Sequence, residues 1–210
     1  MSGTDDLIGT LASQAGSEPN RSPASFSRAF LLSTLLSLIV AIGIAGTGFG
    51  FRDTLPALAT HVPFLVKVAG ALLLAIGAFL LARRAVLPGS GVTSWLLILP
   101  GIAPFAIHAV LDPWGPRTRG YWETGSCSLD IALLSLPALW LILRVMKSAA
   151  PTRPAQAGAF AGLLAGALGT AGHAFACGND GGLSVLLWYG AALLFMTGLG
   201  ALIGRKTLRW

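Results

Sequence analysis

The chain has 210 residues, of which 54% are hydrophobic and only 10% are charged. Soluble domains carry about 25% charged residues, so this composition excludes an ordinary soluble protein and favours a single membrane domain. The formal net charge is +6 at pH 7. Because basic residues flank apolar segments, we expect this charge to report membrane orientation, with no direct nucleic-acid binding.

Residues 1–28 are predominantly polar and precede the first long apolar stretch. Within them, Asp5 and Asp6 would lie in the first turn of a helix capped by Thr4, where negative charge is favourable. The apolar residues that would share one face of this helix are Leu7, Ile8, Leu11 and Ala15. So short a helix is marginal alone, and the pattern predicts a segment that folds onto a partner, with a disordered tail as the alternative.

Six apolar stretches follow, each near the roughly 20 residues that a membrane helix needs. They lie at about 29–49, 62–82, 92–111, 127–146, 154–176 and 183–203. Backbone amides in hydrocarbon must bond within their own segment, which favours helices here. The sequence therefore predicts an all-α bundle of six transmembrane helices over residues 29–210, preceded by a cytoplasmic segment over residues 1–28.

The orientation follows from the distribution of Lys and Arg. Numbering the loops alternately places ten of the fourteen basic residues on one side of the membrane. These are Arg21, Arg28, Arg83, Arg84, Arg144, Lys147, Arg153, Arg205, Lys206 and Arg209. Since the more basic side is cytoplasmic, we expect both termini in the cytoplasm. Lys67 lies about one turn inside the second span and is expected to extend its ammonium back to the opposite interface.

The spans themselves favour packing over transport. Gly158, Gly162 and Gly166 recur at four-residue intervals in the fifth span, which predicts a face that another helix approaches closely. Apart from Lys67, the middle of the spans has almost no ionisable residue, which argues against a pump or coupled transporter. A small transporter or channel for a metal ion or a weakly charged solute remains the alternative function.

No residue pattern indicates catalysis. The chain lacks clustered carboxylates and any nucleophile or metal-ligand motif of the kind that marks an active site. We therefore expect no enzymatic activity, no catalytic residue and no cofactor.

The chain has two cysteines, Cys127 at the start of the fourth span and Cys177 at the end of the fifth. The connection between these spans, around Lys147 to Pro154, is so short that they must be antiparallel neighbours. About 20 and 23 residues then separate it from the two cysteines, or roughly 30 and 34 Å of helix, so both thiols should reach the periplasmic boundary. A structural disulfide, a thiol or metal sensor, and coincidence are the three interpretations.

The three histidines, His61, His108 and His173, fall on the same side as the cysteines. His173 lies one helical turn before Cys177, so both side chains could face one ion. A transient soft-metal site of the two cysteines, with His173 as an accessory ligand, is therefore a further interpretation, although it follows no established spacing motif.

The segment from Cys127 to Trp210 has the most specific pattern in the chain. Its characteristic parts are Cys127, Leu134-Ser135-Leu136-Pro137, Ala150-Pro151-Thr152-Arg153-Pro154, the glycine strip from Gly158 to Gly166, Cys177, Trp188-Tyr189 and Leu208-Arg209-Trp210. This pattern resembles the NrsF family of bacterial membrane anti-sigma factors. The opening Thr4-Asp5-Asp6-Leu7-Ile8 is similar to the N-terminus of that family.

The resemblance implies an inner-membrane protein whose cytoplasmic face sequesters an extracytoplasmic-function sigma factor and releases it on heavy-metal or oxidative stress. It assigns sensing in the periplasm to Cys127 and Cys177. The presumed sigma-binding residues are Asp5, Asp6, Leu7, Ile8 and Leu11. The family has an aromatic-Ala-Leu-His-Cys type of sequence at the second cysteine, whereas this chain has His173-Ala174-Phe175-Ala176-Cys177. This departure moves the histidine and argues against a metal-ligand role for it. We expect thiol chemistry to alter the packing of the fourth and fifth spans and so to shift their cytoplasmic loop.

Overall fold

The computed structural model describes residues 2–17, 23–52, 60–86, 95–112, 126–149 and 151–209. The helices in these ranges are α1 (Ser2–Ser17), α2 (Pro23–Ile44), α3 (Val62–Val86), α4 (Leu99–Leu111), α5 (Ser126–Met146), α6 (Pro154–Ala174) and α7 (Gly182–Thr207). A π-helical turn, Ala45–Phe49, extends α2, and a 3-10 turn, Trp95–Ile98, leads into α4. The described part contains no strand, which confirms the all-α prediction.

Four helical segments are long and apolar enough to cross a membrane. They are Ala24–Phe49, Val62–Val86, Cys127–Met146 and Gly182–Thr207. The third predicted span corresponds to the shorter apolar segment Trp95–Leu111. The fifth corresponds to α6, which has 21 residues and is not among these four segments.

Helix α6 forms the centre of the bundle. It packs against α2, α3, α5 and α7, and almost every residue from Ala157 to Ala174 is buried. The surrounding helices expose large apolar side chains such as Ile39, Leu194 and Leu202. A buried centre with apolar side chains on the outside is the arrangement expected for helices in lipid.

The glycine strip of α6 packs against α7. A Cβ added at Gly158 would meet the carbonyl oxygen of Gly200, and one added at Gly162 would meet that of Met196. A Cβ at Gly204 would lie 2.6 Å from the Cα of Gly158. The predicted close packing face is confirmed, and its main partner is the following helix.

The two ends of the bundle differ in chemistry. The core residues Phe26, Val86, Met146 and Leu208 belong to one cluster and mark what we call the basic end. The described basic residues near it in sequence are Arg28, Arg83, Arg84, Arg144, Lys147, Arg153, Arg205, Lys206 and Arg209. Cys127 and Cys177 mark the opposite end, called the cysteine end.

Several helix boundaries differ from those predicted. Helix α2 begins at Pro23, within the predicted cytoplasmic segment, because proline suits the first turn of a helix. Helices α3 and α7 run beyond the predicted residues 82 and 203, since Arg84 and Arg205 in their last turns interact favourably with the helix dipole. Helix α1 begins at Ser2, so Thr4 lies inside its first turn and is not the N-cap.

Candidate thiol and metal site

Both cysteines lie at the same end of the bundle, as the helix lengths predicted. Cys127 is in the first turn of α5, and Cys177 follows the end of α6. The backbone N–H of Cys177 donates to the carbonyl oxygen of His173 at 2.9 Å, so the chain makes one more helical turn beyond α6. The two Sγ atoms lie 3.8 Å apart and the thiols are free. The prediction that the two thiols share a depth is confirmed.

His173 completes a cluster of three potential ligands. One ring nitrogen of His173 and the Sγ atoms of Cys127 and Cys177 all lie within 4.8 Å of one another. His173 is only 4% exposed, and neither ring nitrogen has a hydrogen-bond partner among the described residues. Leaving a buried polar group unpaired costs about 1–3 kcal/mol, so this imidazole is available to a further ligand.

The geometry of the cluster fits a soft divalent cation. Two thiolates at 2.3 Å from a tetrahedral ion are separated by about 3.8 Å, and the observed separation of Cys127 and Cys177 is 3.8 Å. Thiolate and imidazole ligands favour soft metals. A disulfide would require the sulfurs to approach to about 2.05 Å. The pair can therefore bind an ion where it stands, or oxidise after a small movement.

A shallow pocket leads to the two sulfurs. Its lining includes Asn179, Ser184, Trp188 and Tyr189 together with both cysteines. Cys127 is buried and Cys177 is partly buried, so the pocket gives small ions and oxidants a route to the sulfurs.

Asp180 forms a buried ion cluster close to the thiols. Its carboxylate accepts two hydrogen bonds from Arg52, Nη2 to Oδ2 at 2.8 Å and Nη1 to Oδ1 at 3.3 Å. Lys67 Nζ lies 2.7 Å from Oδ1 of Asp180. Lys67 is fully buried, and its ammonium extends towards the cysteine end, as predicted, where it meets Asp180 and not solvent. A lysine in an apolar span needs a counter-ion. The sequence could therefore have predicted an acidic partner for Lys67, but not that this partner is Asp180.

The same cluster fixes the backbone around Cys177. Lys67 Nζ also donates to the carbonyl oxygens of Cys177 at 3.3 Å and Asn179 at 3.0 Å. The backbone N–H of Arg52 donates to the carbonyl oxygen of Phe175 at 3.1 Å. His108 Nε2 lies 2.9 Å from the carbonyl oxygen of Asp180. Residues from α3, α4 and the chain after α2 therefore fix the loop that holds Cys177.

Neighbouring groups lower the pKa of two side chains in this loop. Burial by itself raises the pKa of the Asp180 carboxyl, but Arg52 and Lys67 outweigh burial and hold it below its ordinary value. A hydrogen bond from Cys127 lowers the pKa of the Cys177 thiol, and burial opposes this shift without reversing it. Cys177 is therefore the more anionic thiol and the better first ligand for a cation.

The residues predicted to bind a sigma factor lie in α1, before the start of α2 at the basic end. Asp5 and Asp6 are exposed, and Leu7 and Ile8 are each 59% exposed. Leu11 is in the same helix, and its side chain lies outside the described residues. Among the described residues, none from α1 belongs to the ligand cluster or lines the pocket at the thiols.

The fold and the site together define a helical membrane protein that holds a pair of thiols at one end of its bundle. Residues 13–210 match the family NrsF, negative regulator of sigma F. A probable anti-sigma-F factor NrsF from Azospira oryzae is 34% identical over 221 residues, covering 99% of each chain. The anti-sigma-F factor NrsF of Caulobacter vibrioides is 31% identical over 220 residues, again covering 99% of each chain. No solved structure matches the chain.

The chain therefore belongs to the NrsF family, and the resemblance found in its sequence is confirmed. Membership gives it a regulatory role as an anti-sigma factor, with a sigma factor as its partner. It also favours regulation over the alternative of a small transporter or channel.

Proposed function

We propose that this protein is a six-span inner-membrane anti-sigma factor that binds an extracytoplasmic-function sigma factor through residues 1–28. Both termini lie in the cytoplasm in this proposal. Cys127 and Cys177 meet heavy metals or oxidants on the periplasmic side, with His173 as an accessory metal ligand. Their reaction releases the sigma factor.

The chemistry of the two ends supports this orientation. Most of the described Lys and Arg residues lie near one end of the bundle in sequence, as expected if this end faces the cytoplasm. Helix α6 has 21 residues, and at 1.5 Å per residue it spans about 30 Å, close to the thickness of the hydrocarbon core. Four neighbouring helices bury α6, as expected of a central helix in a membrane bundle.

The observation that carries the sensing role is the cluster of two thiols and an unpaired buried imidazole. Soft ligands within 4.8 Å of one another suit cadmium or zinc better than they suit magnesium or calcium. The only two cysteines of the chain meet at this one point, although 50 residues separate them in sequence. A periplasmic position also permits oxidation to a disulfide, which is the second stimulus in this proposal.

The exposed apolar residues of α1 support the sigma-binding role. Leu7 and Ile8 are adjacent and largely exposed, flanked by the exposed carboxylates of Asp5 and Asp6. An amphipathic helix of this kind is a common way to dock into the apolar groove of a partner.

The test is a sigma-dependent reporter in cells exposed to cadmium. We expect induction with the natural chain and its loss with Cys127→Ser or Cys177→Ser. Ala176→Ser, which adds the same hydroxyl beside Cys177, is the matched control and should respond normally. In purified full-length protein, His173→Ala should weaken cadmium binding by about tenfold or more, since it removes one ligand. An undiminished cadmium response in both cysteine variants would refute the sensing role.

A further inference from the structure

Three residues in or just after α2 make contacts around the thiol site, and they are Ala41, Phe49 and Arg52. The Arg52 side chain binds Asp180, and its backbone N–H binds the carbonyl oxygen of Phe175. The Phe49 ring lies edge-on to the His173 ring, with 6.2 Å between centroids. A Cβ added at Gly172 would lie 2.8 Å from the carbonyl carbon of Ala41, so the backbones of α2 and α6 are in contact beside His173.

Helix α2 leads from these contacts to the opposite end of the bundle. It runs without interruption from Pro23 to Ile44, and its residues Phe26 and Phe30 pack in the core at the basic end. Helix α1 precedes it in the chain. One continuous helix therefore connects the neighbourhood of the thiols to the basic end, and α1 ends shortly before it in the sequence.

The chain between α2 and Arg52 has an unusual backbone. Residues Ala45–Phe49 form a π-helical turn, and Gly50 then adopts a φ of +78°, which favours glycine. Single π-helical turns occur frequently at functional sites, and they change the hydrogen-bond register of a helix without unfolding it. The end of α2 therefore has a local means of adjusting its position.

The Arg52–Asp180 pair makes this adjustment discrete. The two side chains are 7% and 9% exposed, and separating this buried pair has an energetic cost and leaves Asp180 with Lys67 as its close cation. At intermediate separations the two side chains would have neither the ion pair nor contact with water. The interaction is therefore either made or broken. A buried ion pair at a junction between helices can therefore distinguish two packing states.

We propose that Arg52 is the positioning residue that couples the thiol site to α2, so that the signal reaches residues 1–28 through α2. This proposal rests on the proposed function and specifies its route. A ligand at Cys127, Cys177 and His173 moves the loop of Cys177, which moves Asp180, Arg52 and the end of α2. It replaces the earlier expectation that the loop between α5 and α6 transmits the signal.

The test measures the thermodynamic coupling between cadmium binding and sigma-factor binding. If cadmium and the sigma factor favour opposite states of the bundle, each must weaken the binding of the other by the same factor. The measurement is the cadmium affinity of the purified full chain, with and without the sigma factor that co-purifies with it. In the natural chain we expect the sigma factor to lower cadmium affinity by about tenfold, within the usual range of allosteric coupling.

Arg52→Gln removes the cation and should reduce this factor to about twofold or less. Because Arg52 also helps to fix the loop of Cys177, the factor is calculated from each variant's own cadmium affinities with and without the sigma factor. Arg83→Gln makes the same change of charge at the basic end and should leave the coupling intact. Arg52→Lys keeps the charge but cannot make the bidentate hydrogen bonds to Asp180, so its coupling should be intermediate. If Arg52→Gln fails to accumulate, Arg52→Lys decides the question.

The outcomes separate this inference from the function on which it rests. Full coupling in the Arg52 variants, with normal coupling in the natural chain, would overturn the route through Arg52 and leave the sensing role intact. Cadmium binding without any coupling in the natural chain would overturn both. Loss of cadmium binding itself in Arg52→Gln would mean that Arg52 only builds the site, which also contradicts the proposal.

Discussion

Lys67 is a charged residue with no exposed surface, in a helix that is otherwise apolar. Its ammonium is satisfied by Asp180 and by the carbonyl oxygens of Cys177 and Asn179. Because removing Lys67 would break one of the two buried ion pairs of Asp180 and leave two carbonyl oxygens without their donor, Lys67 stabilises both the bundle and the position of the thiol loop.

We predict that Lys67→Met lowers the free energy of unfolding by about 3 kcal/mol, the usual cost of breaking a buried pair. The measurement is unfolding of the purified protein by denaturing detergent. Lys147→Met, which removes an exposed lysine at the basic end, is the control and should change stability little. Equal effects of the two substitutions would contradict the assigned role of Lys67.

The lowered pKa of Asp180 predicts a defined dependence of stability on pH. A carboxyl whose pKa is lower in the folded state contributes stability above its unfolded pKa, and this contribution is lost as pH falls through the folded pKa. The stability difference between the natural chain and Asp180→Asn should therefore be constant from about pH 5 to 7 and shrink below about pH 4. Thermal unfolding at each pH measures it. A difference that grows towards acid pH would show the opposite sign of shift.

At the residue scale, the sequence predicted which chemical groups matter but not how they pair. Helix lengths brought Cys127 and Cys177 to one depth, because the short connection between their helices leaves little freedom. The pairing of Lys67 with Asp180 joins residues 113 positions apart. Only the packing of α3 against α6 determines that contact, so sequence periodicity could not reveal it.

The contact between α6 and α7 depends on glycine at the scale of whole helices. Gly158 and Gly162 face Gly200 and Gly204, and their backbones lie too close to admit a side chain. Close approach of this kind replaces the hydrophobic driving force that is missing between helices in lipid.

We predict that Gly200→Ala destabilises the bundle by about 1–3 kcal/mol, because its Cβ would overlap the backbone of Gly158 and Gly162. Gly198→Ala lies two residues away in the same helix, where no atom is within 4 Å of the added Cβ. It should be tolerated or slightly stabilising, since alanine is the better helix former. Comparing the resistance of both variants to denaturing detergent tests the packing, and a larger loss for Gly198→Ala would refute it.

Helix α1 makes a separate prediction about the partner. Leu7→Asp combined with Ile8→Asp should reduce capture of the sigma factor from membranes by about tenfold or more, since apolar anchors often dominate a helix-in-groove interface. Ser13→Asp adds charge to the same helix outside this apolar pair and is the control. Capture that survives the double change would place the binding surface elsewhere.

The positions of the long apolar helices were largely predictable, because runs of Leu, Ile and Ala about 20 residues long have few alternative structures. Their ends were predicted less well. Pro23 and Arg84 extend their helices beyond the apolar runs through local backbone and dipole effects that hydropathy ignores.

At the scale of the whole molecule, the two ends of the bundle separate two kinds of chemistry. The cysteine end holds the thiols, an unpaired imidazole and the Asp180 ion cluster. The basic end adjoins α1. In our proposal, a ligand bound at one end changes the affinity for a protein at the other, which requires two states of the bundle that the two partners favour unequally.

The most direct test of this proposal is release of the sigma factor from the full chain in lipid nanodiscs as cadmium is added. We expect the sigma factor to be released at the cadmium concentrations that fill the thiol site. We expect no release from the chain with both Cys127→Ser and Cys177→Ser. Equal release from both proteins, or retention of the sigma factor by the natural chain at saturating cadmium, would contradict it.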